Sequence, residues 1–160
     1  MFPIHRPRRL RNSGLLRAMV RETVLRPEDF IYPLFVQETS DRPEPIDAMP
    51  GQMRHTMDSL LAEVAAAAED GVKAVLLFGI PAFKDETGSQ AYADDGVVQR
   101  AVRAIKAAGL PVLVITDVCM CEYTSHGHCG AICDGDVDND LSLELIAKTA
   151  LAQARAGDAH

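Results

Sequence analysis

No run in this chain approaches the eighteen or so apolar residues that a membrane helix needs, and no apolar signal segment opens it. Both absences exclude a membrane protein and point to the cytoplasm. Basic residues are outnumbered, 16 Lys and Arg against 23 Asp and Glu, for a formal charge of −7 and a pI near 5.1. Phosphate backbones require a basic face, so nucleic acid is excluded as a general partner. No glycine-rich loop follows the first apolar segment, which argues against a small open nucleotide-binding sheet of the flavodoxin type. Internal repeats and low-complexity segments are also lacking. What remains is a globular composition, 48% apolar and 24% charged. Its four cysteines, in a reducing compartment, suit metal binding or catalysis better than disulfides.

The pattern along the chain is β-α-β-α-β-α. Residues 1–12 are rich in proline and arginine without periodicity and read as an arm; residues 13–160 read as one incomplete domain. Ser13 is placed to cap a helix over Gly14 to Glu22, with Leu15, Leu16, Met19 and Val20 on one face. Phe30 to Val36 is expected as the first buried strand. Gln37 to Arg54, with Pro43, Pro45, Pro50 and Gly51, is expected as a long loop of the kind that carries function. A helix over Asp58 to Asp70 buries Leu60, Leu61, Val64, Ala67 and Ala68, and Gly71 ends it. Val72 to Phe78 is the second strand. Asp95 to Ala108 is a helix using Val97, Val98, Ala101, Val102 and Ile105, and Pro111 to Thr116 is the third strand. Asp140 is expected to cap a last helix to about Ala156, with Leu141, Leu145, Ile146 and Thr149 inward. Such alternation means parallel strands joined by right-handed crossovers.

The most chemically loaded stretch follows the third strand. Asp117 to Gly130, D-V-C-M-C-E-Y-T-S-H-G-H-C-G, holds three thiols, two imidazoles and two carboxylates. If the chain stays extended past Thr116, a period of two puts Asp117, Cys119 and Cys121 on one side and Val118 and Met120 on the other. Gly127 and Gly130 allow a reversal that returns Cys129 to the same point. Three soft thiolates in a redox-inert site suit Zn2+ better than Mg2+ or Ca2+. Three protein ligands leave one position open, as in catalytic zinc sites. A fourth from His126, His128 or Cys133 would close the site and make it structural, and His128 could equally orient a ligand from outside the coordination sphere. The plainest alternative is three small buried hydrophobes, which a polar loop disfavours.

This loop resembles the zinc-binding loop of the porphobilinogen synthase family, the δ-aminolevulinic acid dehydratases. R-P-R-R-L-R at 6–11, D-F-I-Y-P-L-F-V at 29–36, M-P-G at 49–51, L-L-F-G-I-P at 76–81, K-D-E-T-G-S at 84–89 and V-D-N-D at 137–140 match in family order. The resemblance implies an α/β fold, the N-terminal part of a (β/α)8 TIM-type barrel with about three β/α units, since members run to roughly twice this length. It implies a lyase that condenses two 5-aminolevulinate molecules to porphobilinogen on the way to haem and other tetrapyrroles. Its two Schiff-base lysines belong to the half not represented here, as does any Mg2+ site. Cys119, Cys121 and Cys129 match the zinc ligands, and Asp117 matches an acidic residue of the active site. The N-terminal arm is implied to join subunits in a homo-oligomer, an octamer in the family. Three thiolates leave the zinc site with a net charge of −1, which favours orienting substrate over strong Lewis acidity.

Two other readings come from the residues alone. One is a zinc-dependent hydrolase in which Glu122 activates a metal-bound water; the other is a non-catalytic, zinc-stabilised assembly module. Lys84 is the one lysine in a candidate loop, but it stands beside Asp85 and Glu86, and acidic neighbours favour the charged amine, which is not nucleophilic.

Overall fold

In the computed structural model of the chain, which describes Phe2, Ile4, His5 and residues 7–158, regular elements follow in the order α1 (Gly14–Met19), β1 (Ile31–Gln37), β2 (Glu44–Pro45), β3 (Met53–His55), α2 (Met57–Glu69), β4 (Ala74–Ile80), α3 (Val97–Ala107), β5 (Leu113–Thr116), β6 (Ala131–Cys133), β7 (Asp136–Asp138) and α4 (Asn139–Asp158). Arg6 of the arm and the end of the chain at His160 lie outside the described residues. The three apolar runs are neighbours in one sheet of order β2-β3-β1-β4-β5. Strands β3, β1, β4 and β5 are parallel, and β2 runs antiparallel to β3. The crossover helices α2 and α3 follow from that parallel pairing.

Alternation along the strands divides their side chains between two unlike faces. Leu34, Val36, Val75 and Leu77 join Leu60 and Val64 of α2 and Val97, Val98, Ala101, Val102 and Ile105 of α3 in one core. Helix α4 adds Ala156, packing on α3. The opposite face carries Phe35 stacked on Phe78, with ring centroids 5.2 Å apart, and, in register, Leu76 beside Ile115. Nothing among the described residues covers this second face at β5, where Leu113 is 70% exposed.

Several expectations are corrected. Helix α1 stops at Met19 and buries none of its residues; Leu15 and Met19 are each 83% exposed, so its apolar face is not part of the core. The segment expected as a bare loop between β1 and α2 contains β2 and β3. Two- and three-residue strands carry no period, and the pairing of Arg54 with Phe35 is set by tertiary context. Likewise 131–138 forms an unexpected hairpin. Leu141, in the first turn of α4, is 49% exposed and not inward, whereas Leu145 and Thr149 are buried as expected. Asp138, in place of Asp140, accepts the Leu141 N–H at 2.9 Å.

His55 closes β3 and is 6% exposed, with Nδ1 3.3 Å from Ser59 Oγ. Burial lowers its pKa from the ordinary 6.5, against the opposing pull of the Glu63 carboxylate. The unfolded chain therefore binds a proton that the folded chain refuses. Its contribution to stability is full above pH 6.5 and is lost as pH falls below that value through the lower pKa of the folded state. The thermal midpoint is expected to be lower at about pH 5.5 than at about pH 7.5. Substituting His55→Gln should shrink that difference; an unchanged difference would remove His55 as its source.

Candidate metal centre

The centre begins where β5 ends. Gln153, buried on α4, donates from Nε2 to the Asp117 carbonyl at 2.8 Å, and its Oε1 accepts from Thr116 Oγ1 at 2.9 Å. One side chain thus satisfies the last strand residue and the first loop residue. The chain then turns instead of staying extended: the N–H groups of Tyr123 and Thr124 both donate to the Met120 carbonyl, at 2.9 and 3.0 Å. Met120, Tyr123 and Thr124 are buried and anchor the turn from below. Val118, expected on the same side as Met120, is 36% exposed while Met120 is 1% exposed.

Above the anchor the thiols converge. Cys119 Sγ lies 3.2 Å from Cys121 Sγ and 3.0 Å from Cys129 Sγ, and all three lie within 4.8 Å of one another. A second set, the Asp117 and Glu122 carboxylates with Cys119 Sγ, meets the same limit. Cys133 is exposed on β6 and belongs to neither set. Nor do the imidazoles. His126 accepts from the His128 N–H through Nδ1 at 3.1 Å and reaches the Glu86 carbonyl through Nε2 at 3.2 Å, so both its ring nitrogens are engaged. His128 stacks on it at 5.7 Å. Gly130 permits the return of Cys129 because a Cβ there would lie 2.3 Å from Ser142 Oγ, the hydroxyl that accepts the Ala131 N–H at 3.0 Å.

Electrostatics follow from crowding like groups in a half-buried place. Burial and then the hydrogen bond to Cys129 push the Cys119 thiol up to about 12, while the same bond lowers Cys129. The proton therefore rests on Cys119, and Cys129 is the readiest thiolate. Burial, then the nearby Asp117 charge, raises Glu122 to about 7, with Lys84 opposing. Tyr123 is raised by burial and by Glu122, and stays a neutral phenol. Concentrated thiol and carboxylate donors of this kind can hold a metal ion. A depression of about 800 Å3 lies elsewhere, lined by Glu38, Asp41, Thr56 and Arg100. It contains none of these donors, and size alone does not make it the reactive site.

The family model for delta-aminolevulinic acid dehydratase matches residues 4–160. The chain belongs to the delta-aminolevulinic acid dehydratase family. The delta-aminolevulinic acid dehydratase of Methanothermobacter thermautotrophicus is 48% identical over 158 residues, 98% of this chain and 48% of its own length. That of Bacillus subtilis is 48% identical over 153 residues, 96% of this chain and 47% of its own. The crystal structure of the Toxoplasma gondii ME49 delta-aminolevulinic acid dehydratase (porphobilinogen synthase), in complex with its reaction product porphobilinogen, matches with a TM-score of 0.91 and 39% identity. That match covers 98% of this chain and 46% of the other. The chain spans about half the length of the curated relatives it matches. Its α/β fold is thus that of part of a delta-aminolevulinic acid dehydratase.

Reading the sequence missed two features of the centre in this family member. Glu122 was assigned a role only under a hydrolase reading, yet it is the partner of Asp117. Its position next to a cysteine was the available signal. Gln153 gave no signal at all, since an isolated glutamine in a helix is ordinarily a solvated residue.

Proposed function

We propose that this chain supplies the metal-binding part of a porphobilinogen synthase, a lyase that condenses two 5-aminolevulinate molecules to porphobilinogen for haem and other tetrapyrroles. The supporting observation is the convergence of Cys119, Cys121 and Cys129 beside Asp117 and Glu122, at the C-terminal end of a strand in a chain of this family. In (β/α)8 barrels that end of the strands carries the chemistry.

Zinc suits the donor set. Tetrahedral Zn–S bonds of about 2.3 Å put sulfurs roughly 3.8 Å apart. The thiols stand closer, at 3.0 and 3.2 Å for two of their pairs, so side-chain rotations that part these sulfurs by roughly 0.6 to 0.8 Å open the space. Cys119, Cys121 and Cys129 would hold the ion, with no imidazole completing the set. When bound, zinc supplies a weakly Lewis-acidic position that orients a substrate carbonyl or amine. Asp117 holds the substrate's ammonium group by charge. Glu122, raised to about 7, can keep or release a proton near neutral pH, which suits it to proton transfer beside that amine.

The four lysines, Lys73, Lys84, Lys106 and Lys148, are all exposed, and none has the desolvated setting of a Schiff-base amine. The amines that bind substrate covalently belong to the other half of the family's barrel. The arm of residues 1–12 serves subunit association in a cytoplasmic homo-oligomer, a role supported by the uncovered Phe2, Ile4 and Leu10. Assaying the protein at its relatives' length, with this chain as the first half, tests the reading. Porphobilinogen should form from 5-aminolevulinate, stop on chelation and return with zinc. No product, or turnover indifferent to chelation, would overturn it.

A further inference from the structure

The loop between β4 and α3 takes no direct part in the thiol cluster, yet it is stitched to it. Asp85 and Thr124 form an isolated parallel bridge, which carries sheet pairing past the ends of β4 and β5. The Asp85 carbonyl accepts the Ser125 N–H at 2.8 Å, and the Glu86 carbonyl meets His126 Nε2 at 3.2 Å. The Asp85 carboxylate does something different. Its Oδ1 accepts the N–H of Thr87 at 3.0 Å, the hydroxyl of Thr87 at 3.2 Å and the N–H of Ser89 at 2.9 Å, and its Oδ2 accepts the Ser89 hydroxyl. Four donors on one carboxylate fold residues 85–89 into a single tight turn.

That turn presents Gly88, at φ +61°, to the underside of the thiol loop. A Cβ on Gly88 would lie 3.1 Å from Met120 Cε, 3.3 Å from Tyr123 Cβ and 3.4 Å from Thr124 Cγ2, so backbone and loop are already in contact. Met120 separates Cys119 from Cys121. Met120 is buried against Gly88, while the sulfurs on either side of it, those of Cys119 and Cys121, stand 3.2 Å apart and Cys119 Sγ lies 3.0 Å from Cys129 Sγ. We propose that Asp85 is a positioning residue for the thiol cluster: through the turn at 85–89 it seats Gly88 under Met120 and so fixes the mutual placement of Cys119 and Cys121. This rests on the reading of the three thiols as metal ligands.

Groups outside the coordination sphere that orient ligands typically change metal affinity by 10- to 100-fold. The test is a Co2+ titration of the chain against a chromophoric chelator, with the sulfur-to-cobalt absorption bands recorded beside the affinity. Asp85→Ala is expected to weaken Co2+ about 10- to 100-fold and to shift or broaden those bands. Asp85→Asn keeps one acceptor oxygen and should recover most of the affinity. Ser89→Ala leaves the carboxylate and its other donors in place, and is expected to weaken Co2+ less, about threefold. It keeps the test decisive if circular dichroism finds Asp85→Ala unfolded. Folded Asp85→Ala and Ser89→Ala variants with the parent's affinity and spectrum would overturn the positioning role while leaving the thiol site intact. A parent chain that binds no Co2+ would overturn the metal reading, and this one with it.

Discussion

Expressed by itself, the 160-residue chain is expected to yield no porphobilinogen from 5-aminolevulinate and to sediment as a particle heavier than its 17.3 kDa monomer. The first half of that result follows from its amines. A lysine forms a Schiff base only when burial or a cationic neighbour releases its proton, and the four here are exposed. Lys148 Nζ lies 5.9 Å from the centre of the Tyr92 ring, on an exposed helix face. The second half follows from the sheet. Strand β5 is an edge, paired only with β4, and its outward N–H and C=O groups are open to another chain. Beside that edge Leu113 and Ile115 are exposed, and Phe35, Leu76 and Phe78 on the same face are only half-buried. At about 25 cal/mol per Å2, leaving ~400 Å2 of apolar surface in water forfeits about 10 kcal/mol, as much as a whole domain's net stability. Association recovers part of it. Product formation by the lone chain, or a monomer in sedimentation velocity at micromolar concentration, would refute the corresponding half.

The second large effect concerns the cysteines. Replacing Cys119, Cys121 or Cys129 singly by alanine should weaken Zn2+ or Co2+ by at least about a hundredfold. Apparent binding energies of roughly 10–16 kcal/mol for four-ligand zinc sites make each ligand worth about 3 kcal/mol. Cys133→Ala should bind as the parent does, because Cys133 stands on the hairpin outside the cluster. Competition with a chromophoric chelator measures all four. Loss of metal from Cys133→Ala, or its retention by Cys129→Ala, would redraw the ligand set.

How far the sequence could be read depended on how local the determinants are. Helix α3 was legible because Val97, Val98, Ala101, Val102 and Ile105 all obey the helical period and are all buried. Strands β1, β4 and β5 were legible as short apolar runs with ends misplaced by one to two residues. Helix α1 misled because its apolar stripe is real yet turned away from this chain's core. Strands β2 and β3 and the β6–β7 hairpin are too short for any period and exist through their partners. At the centre, composition singled out the loop, spacing pointed to Cys119, Cys121 and Cys129 beside Asp117, and the resemblance matched the same four residues. Strand parity does not carry through Cys121, because the chain turns at Met120–Thr124. Gln153 reaches Asp117 across 36 residues, and no sequence pattern encodes that.

The three sulfurs all come from a span of eleven residues, Cys119 to Cys129. Closing so short a segment around an ion requires only about 2 kcal/mol of chain entropy, against roughly twice that for a loop the length of this chain. During synthesis, thiols this close in sequence can meet an ion before any strand beyond β5 exists to complete a barrel. The order of events in assembly would then be metal first and ring second, with the captured ion holding the end of β5 in place while the rest of the sheet finds its register.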